Sequence, residues 1–377
     1  MIECLPDDWQ RATLVGRLLT DAGPTPIVVS GGKVFDVSRH APTVSQLLNS
    51  WSGEIPRGEE IASLEARALR PAYEETRVPR LLAPFDLQCI KACGVTFAIS
   101  AIERVIEERA RGDAAKAEAI RSDLRERVGS DIRAVKPGSE AAMRLKQALI
   151  GEGLWSQYLE VAIGPDAEVF TKAPVLSSVG WGDWIGVRRD SAWNNPEPEI
   201  VLACDSRGRI VGATLGNDVN LRDIEGRSAL LLGKAKDNNA SCAIGAFIRI
   251  FDEHFTLDTV RNAVVRLNIQ GEDGFELKGA STMAQISRDP EELVAQTIGA
   301  HHQYPDGFAL FLGTLFAPIE DRDAPGLGFT HKRNDVVRVS TESLGTLINK
   351  VTTCDAAPPW TLGIGELMKN LAQRELI

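Results

Sequence analysis

A chain of 377 residues exceeds one ordinary domain, and 44% apolar with 25% charged residues is the make-up of a globular enzyme, which excludes a disordered or fibrous chain. Its 42 basic and 52 acidic residues leave a net charge of −10, which excludes bulk attraction to nucleic acid or anionic lipid. An anionic substrate would therefore need a local cation.

The N-terminal "MIECLPDDWQRATLVG" lacks the basic start and apolar stretch of a secretory signal. No apolar run approaches the roughly 20 residues that span a bilayer. Cytoplasm is the expected compartment. "TPIVVS", Gly31-Gly32 and "KVFDVS" read as strand, turn and strand, because paired glycines supply the positive φ of a tight hairpin. A helix capped by Thr43 follows at "TVSQLLNSW". The loop-like "RPAYEETRVPRLLAP", with Pro71, Pro79 and Pro84, marks a boundary: residues 1–80 form a small α/β domain, and residues 81–377 the main one.

Between residues 100 and 152 the pattern turns helical. Ile99, Ile102, Val105 and Ile106 recur at helical spacing, Ala117, Ile120, Leu124 and Val128 extend the stripe, and Gly112 and Gly129 mark breaks. Ser139 caps a further helix at "SEAAMRLKQALI". Beyond residue 155, "AEVFTKAP", "EIVLACD", "RIVGATLG", "AVVRLNIQG", "FALFLGTLF", "DVVRVST" and "TLINKVTTC" are short β-rich runs between Gly, Asp and Pro turns. They predict a mostly β, α+β protein with a rolled or sandwiched sheet and a helix over "DPEELVAQTIGAHHQ". The adjacent His301 and His302 would diverge by about 100° on such a helix and could not share an ion. Six cysteines, at 4, 89, 93, 204, 242 and 354, follow no metal or disulfide spacing and read as reduced core thiols.

The chemistry concentrates at Glu197-Pro198-Glu199. A strand alternates its side chains, so Glu197 and Glu199 share one face while Pro198 takes the other. Two acids on an edge strand are ordinarily just a solvated face. The hairpin "IVLAC", "DSRG", "RIVGATLG" alters that reading, because it brings Asp218 back beside the strand start, amid Asn217, Asn220, Arg222, Asp223 and Glu225. Three carboxylates so delivered can cage a hard divalent cation, Mg²⁺, Mn²⁺ or Ca²⁺, in preference to zinc.

The segments "PEPEIVL", "GNDVNLRDIEG", "GKAKDNNASCAIG", "FLGTLFAP" and "VRVSTESLGTLINKV", in that order, resemble the fumarylacetoacetate hydrolase superfamily over residues 82 to 377. "GVTFAISAIERVIEERARGD", "GLWSQYLEVAIGPDAE" and "HQYPDGFALFLGT" resemble its sugar-acid branch, the 2-keto-3-deoxy-D-xylonate dehydratases. The resemblance implies a mixed β-sandwich roll, a metal held by Glu197, Glu199 and Asp218, and a lysine that binds or activates substrate. Lys234 and Lys236 are both available for that part, and "AK" before "SCAIG" favours Lys236. It also implies contacts to substrate from Gly313 and Thr314, while Arg222 and Asp223, in the polar run after Asp218, are read as binding substrate, bracing the ligands or forming a structural salt bridge. A homo-oligomer is a further implication.

One departure bears on the reaction. Hydrolytic members of the superfamily carry a histidine and glutamate pair where this chain has Ser100 and Glu103, with Phe97 at a tyrosine position. Serine cannot serve as a base near neutral pH, so Ser100 is left to bind substrate, and hydrolysis of a C–C bond loses support. Dehydration does not need that histidine. A 2-keto-3-deoxy acid can chelate the ion through its carboxylate and ketone oxygens, the cation then stabilises the enolate left when C3 loses a proton, and the C4 hydroxyl departs. Tautomerisation then gives 2,5-dioxopentanoate. On this reading Glu103 is general base or orienter of a water, Glu107 one helical turn later is the second candidate, and Lys236 polarises the ketone or protonates the leaving hydroxyl if burial lowers its pKa. An acylpyruvate-type hydrolase and a non-catalytic keto-acid-binding protein are the alternatives.

Overall fold

The computed structural model describes residues 3–377 apart from 57, 64–69, 76–77, 118–119, 121–134, 315–317 and 319. The expected stripe positions Leu124 and Val128 and the break at Gly129 lie outside the described residues, as does the side chain of Ile99.

Two mixed sheets organise the chain. The larger one runs, neighbour to neighbour, through Glu59–Ser63, Lys33–Asp36, Gly23–Ser30, Leu14–Thr20, Phe247–Ile250, Ile210–Asp218, Pro198–Cys204, Phe308–Phe311, Cys89–Gly94 and Glu168–Ala173. The smaller pairs Glu276–Thr282, Val264–Gln270, Val336–Thr341, Gly345–Thr353 and Trp184–Val187. Parallel pairing of Phe308–Phe311 with Cys89–Gly94, and of Gly345–Thr353 with Trp184–Val187, is what makes each sheet mixed.

Alternation along Pro198–Cys204 builds the two faces. Ile200 and Leu202 pack with Leu215 against Val265, Leu267, Val339 and Leu347 of the smaller sheet, which makes the sandwich. Val201 and Ala203 point the other way, onto Ile248, Phe311 and the helix side chains Val44, Leu47 and Leu48. Each fully buried branched side chain of this kind contributes about 1.5–3 kcal/mol.

The short-range signals predicted the local elements. Gly31 and Gly32, at φ +56° and +77°, turn the Gly23–Ser30 and Lys33–Asp36 hairpin. Thr43 accepts the Gln46 N–H and Ser139 that of Ala142, at the starts of Val44–Asn49 and Glu140–Gly151. The Ala98–Ala110 helix ends where Arg111 and Gly112 take left-handed backbone. One expectation needs correction. The Pro290–Thr297 helix stops before the histidines: His301 and His302 lie in an exposed turn closed by Gly299 and His302, so helical divergence is not what separates them. The N-terminal residues also supply the strand Leu14–Thr20, which pairs with Phe247–Ile250 and so carries the first strands into the same sheet as the acids. All six cysteines are free thiols.

Candidate metal centre

Glu197 precedes and Glu199 lies at the start of the strand Pro198–Cys204, and Asp218 ends the other strand of the hairpin. Glu199 lies opposite Gly216, Pro198 opposite Asn217, and the Asp218 N–H donates to the Glu197 carbonyl at 3.0 Å. The odd-numbered acids therefore continue the face of Val201 and Ala203, and Asp218 joins them there. One carboxylate oxygen from each lies within 4.8 Å of the others, and all three residues are buried.

Each acid is oriented by the protein. Glu199 accepts the Gly313 N–H at 2.7 Å. The Lys236 ammonium donates to Glu197 Oε2 at 2.5 Å and to Asp218 Oδ2 at 3.0 Å. Arg104 donates to the other oxygen of Glu197 and reaches Glu107 at 2.5 Å and Glu225 at 2.8 Å. Lys172 lies 2.7 Å from Asp218 Oδ1.

A second ring of ion pairs backs the first. Arg222 donates to Glu107 at 2.6 Å, to Glu103 at 3.3 Å and to the Pro318 carbonyl at 3.2 Å, with its guanidinium 4.5 Å from the Trp193 ring centre. Among the described residues, four buried cations, Arg104, Lys172, Arg222 and Lys236, face six buried carboxylates, Glu103, Glu107, Glu197, Glu199, Asp218 and Glu225. Fully ionised, the cluster carries two uncompensated negative charges, and burying such charge is costly. Burial and the neighbouring Asp218 and Glu197 accordingly push Glu199 well above the ordinary carboxylate range. One divalent cation between three hard oxygen donors supplies the missing charge, so the donor set fits Mg²⁺.

The structure sorts the expected residues. Lys236 enters the cage; Lys234, 42% exposed, turns out to Asp190 at 3.6 Å. Burial does not lower the Lys236 pKa: it acts in that direction, but Asp218, Glu197 and Glu225 outweigh it and hold the ammonium protonated well above the usual lysine value. Ser100 donates to the Thr314 carbonyl at 2.6 Å, which ties the Ala98–Ala110 helix to the loop after Phe311. Gly313, at φ +94°, approaches Thr96 so closely that a Cβ would lie 2.1 Å from its hydroxyl. Glu107 is engaged by two arginines and Glu103 by Arg222. Asp223 faces away, to the Ser191 hydroxyl and the Ala192 N–H, each at 2.8 Å.

Sequence reading missed Arg104, Lys172, Glu168 and Glu225. Arg104 and Glu225 sit in charge-rich stretches where nothing marks them as buried. Lys172 stands in the apolar "FTKAP", and a lone charge in such a run is the signal that could have found it. Glu168 starts the strand of Phe170, whose ring centre lies 5.9 Å from the Lys236 ammonium, and it alternates onto the same face. Burial and then Glu225 push its carboxyl up to about 7, against Arg104 and Lys236.

A rolled β-sandwich holding a buried Glu-x-Glu and Asp cage beside a lysine is the class that fold and site define. Residues 198–352 match the fumarylacetoacetate (FAA) hydrolase C-terminal domain. It is 33% identical over 206 residues to a "2-dehydro-3-deoxy-D-arabinonate dehydratase" of Saccharolobus solfataricus, covering 54% of this chain and 63% of that protein. It is also 33% identical over 196 residues to a "Probable 2-keto-3-deoxyxylonate dehydratase" of Haloferax volcanii, covering 52% and 64%. The chain thus spans less than two thirds of either relative. Among solved structures, a "2-keto-3-deoxy-D-arabinonate dehydratase complexed with magnesium and 2,5-dioxopentanoate" superposes with a TM-score of 0.63 at 21% identity, over 90% of this chain and 99% of that one, a likeness of fold. Among the described residues no helix is long and apolar enough to cross a membrane.

Proposed function

We propose that the chain dehydrates 2-keto-3-deoxy-D-pentonate to 2,5-dioxopentanoate with a divalent cation, Mg²⁺ first. The observation that carries this reading is the buried acid cage with the Lys236 ammonium at its edge and Ser100, tied to a backbone carbonyl, where a hydrolase needs its base. The names of the two relatives support it and agree with each other: removing the C2 and C3 stereocentres from D-arabinonate or D-xylonate leaves the same molecule, with C4 alone chiral.

Glu197, Glu199 and Asp218 would hold the cation. When bound, it supplies electrophilic stabilisation of the negative charge that develops on the ketone oxygen. Lys236, kept protonated by its acid neighbours, offers a fixed donor to the keto-acid head and excludes a second water from that side. Glu168, pushed up to about 7, is the group suited to take the C3 proton near neutral pH. Glu103 and Glu107 are assigned to the arginine pairs that fix Arg104 and the Ala98–Ala110 helix. Loss of the C4 hydroxyl as water and tautomerisation through C5 complete the balance. A cytoplasmic homo-oligomer serving oxidative pentose catabolism belongs to the same proposal.

Mg²⁺-loaded protein offered 2-keto-3-deoxy-D-pentonate, its C4 enantiomer and an acylpyruvate tests the reading, with a coupled semialdehyde dehydrogenase reporting product. Product from the D-acid is expected. Carboxylic acid released from the acylpyruvate, with no turnover of the sugar acid, would reverse the choice in favour of a hydrolase.

A further inference from the structure

Lys172 is fully buried between Thr171 and Ala173 of its strand, a placement tolerated only where the ammonium is saturated with acceptors. The strand makes room for it with an irregularity: Ala173 pairs with Ile90 and Thr171 with Lys91, so Lys172 is the extra residue of a bulge, and bulges re-aim side chains. Its ammonium, with three N–H groups to give, donates to the Lys236 carbonyl, approaches the Val219 carbonyl at 3.3 Å and the Ser241 hydroxyl at 3.4 Å, and pairs with Asp218 Oδ1 at 2.7 Å. Ser241 in turn donates to the same Lys236 carbonyl at 2.7 Å.

The geometry points to Lys172 as the positioning residue that locks Asp218 and Lys236 into one arrangement, an inference that rests on the functional reading above. Asp218 is held from both sides, Oδ1 by Lys172 and Oδ2 by Lys236. The backbone of Lys236 is held by the very ammonium that holds the aspartate. A shift of either therefore drags the other, and a carboxylate of the cage stays in register with the lysine that faces substrate. Lys172 itself needs no contact with substrate. Outer partners of this kind typically change metal affinity or activity by roughly 10- to 100-fold when removed.

The test uses the full-length protein loaded with Mn²⁺. Wild type is first titrated and its bound-Mn²⁺ paramagnetic resonance spectrum recorded; a wild type that neither binds Mn²⁺ nor turns over sugar acid defeats the functional reading itself. With wild type active, Lys172→Met is expected to show an altered bound-Mn²⁺ spectrum and a kcat lower by about 10-fold or more at saturating metal, with KM little changed. A folded Lys172→Met with wild-type spectrum and kcat overturns the inference and leaves the functional reading standing. Should Lys172→Met fail to fold, Lys172→Arg decides: it keeps the charge, but its planar fork cannot meet the same acceptors in the same geometry. Folded Lys172→Arg with altered spectrum and reduced kcat supports the inference, and one with wild-type values overturns it.

Discussion

The Gly313 N–H donates to Glu199 Oε2 at 2.7 Å, so a residue of left-handed backbone sets the orientation of one cage carboxylate. Gly313→Ala forces a side chain into φ +94° and places its Cβ 2.1 Å from the Thr96 hydroxyl, which is itself engaged with the Leu312 carbonyl at 2.6 Å. We expect the variant to lose about 1–3 kcal/mol in chemical denaturation, and its Mn²⁺ affinity to fall as Glu199 is freed. An unchanged denaturation midpoint would mean that Thr96 moves aside without cost.

Glu199→Gln tests the charge argument directly. Replacing a carboxyl that burial, Asp218 and Glu197 hold well above the ordinary range by a neutral amide should leave the metal-free protein as stable as wild type or more so, while abolishing the gain in melting temperature that Mg²⁺ gives wild type. Scanning calorimetry with Mg²⁺ and with chelator reads both quantities. A Mg²⁺-induced rise equal to that of wild type would remove Glu199 from the cage.

The cage was legible because it depends on two short-range rules, strand alternation across Pro198 and the hairpin return to Asp218, and both act within about twenty residues of chain. The helix caps and the Gly31-Gly32 turn were legible for the same reason. What escaped depends on contacts distant in sequence. Arg104 meets Glu197 across 93 residues and Lys172 meets Lys236 across 64. Nothing local distinguishes Glu103 and Glu107 on a charged helix from solvent-facing acids, and only the fold shows Arg222 coming from 115 residues further along the chain to bind Glu107. The bulge at Lys172 is likewise a property of pairing with Cys89–Gly94, which the run "AEVFTKAP" cannot disclose alone.

Arg222→Leu should be severely destabilising, since it removes the buried guanidinium that Glu103 and Glu107 share and leaves Glu107 to Arg104. Breaking a buried pair in this way costs about 3–5 kcal/mol. The double variant Arg222→Leu with Glu107→Gln should recover part of that loss, a non-additivity that urea denaturation of the three variants reads out. Arg222→Lys should fare poorly as well, because one ammonium cannot reach Glu107, Glu103 and the Pro318 carbonyl and also stack on Trp193.

Glu168 should impose pH dependence of opposite sense on stability and on rate. Burial, then Glu225, raises its carboxyl from 4.5 to about 7 in the folded protein, so between those values the native state keeps a proton that the unfolded chain releases. Its contribution to stability is therefore fully present below the unfolded value and is lost as pH rises through about 7. The rate runs the other way, because a group that accepts the C3 proton must first be ionised, and kcat/KM should climb through the same pH range. Glu168→Gln should flatten both profiles together, with kcat lower by roughly 10²–10⁴-fold. A variant that keeps the ascending limb of kcat/KM would pass the proton-transfer part to another group, Glu103 first, whereas loss of the limb with Mn²⁺ binding intact would fix it on Glu168.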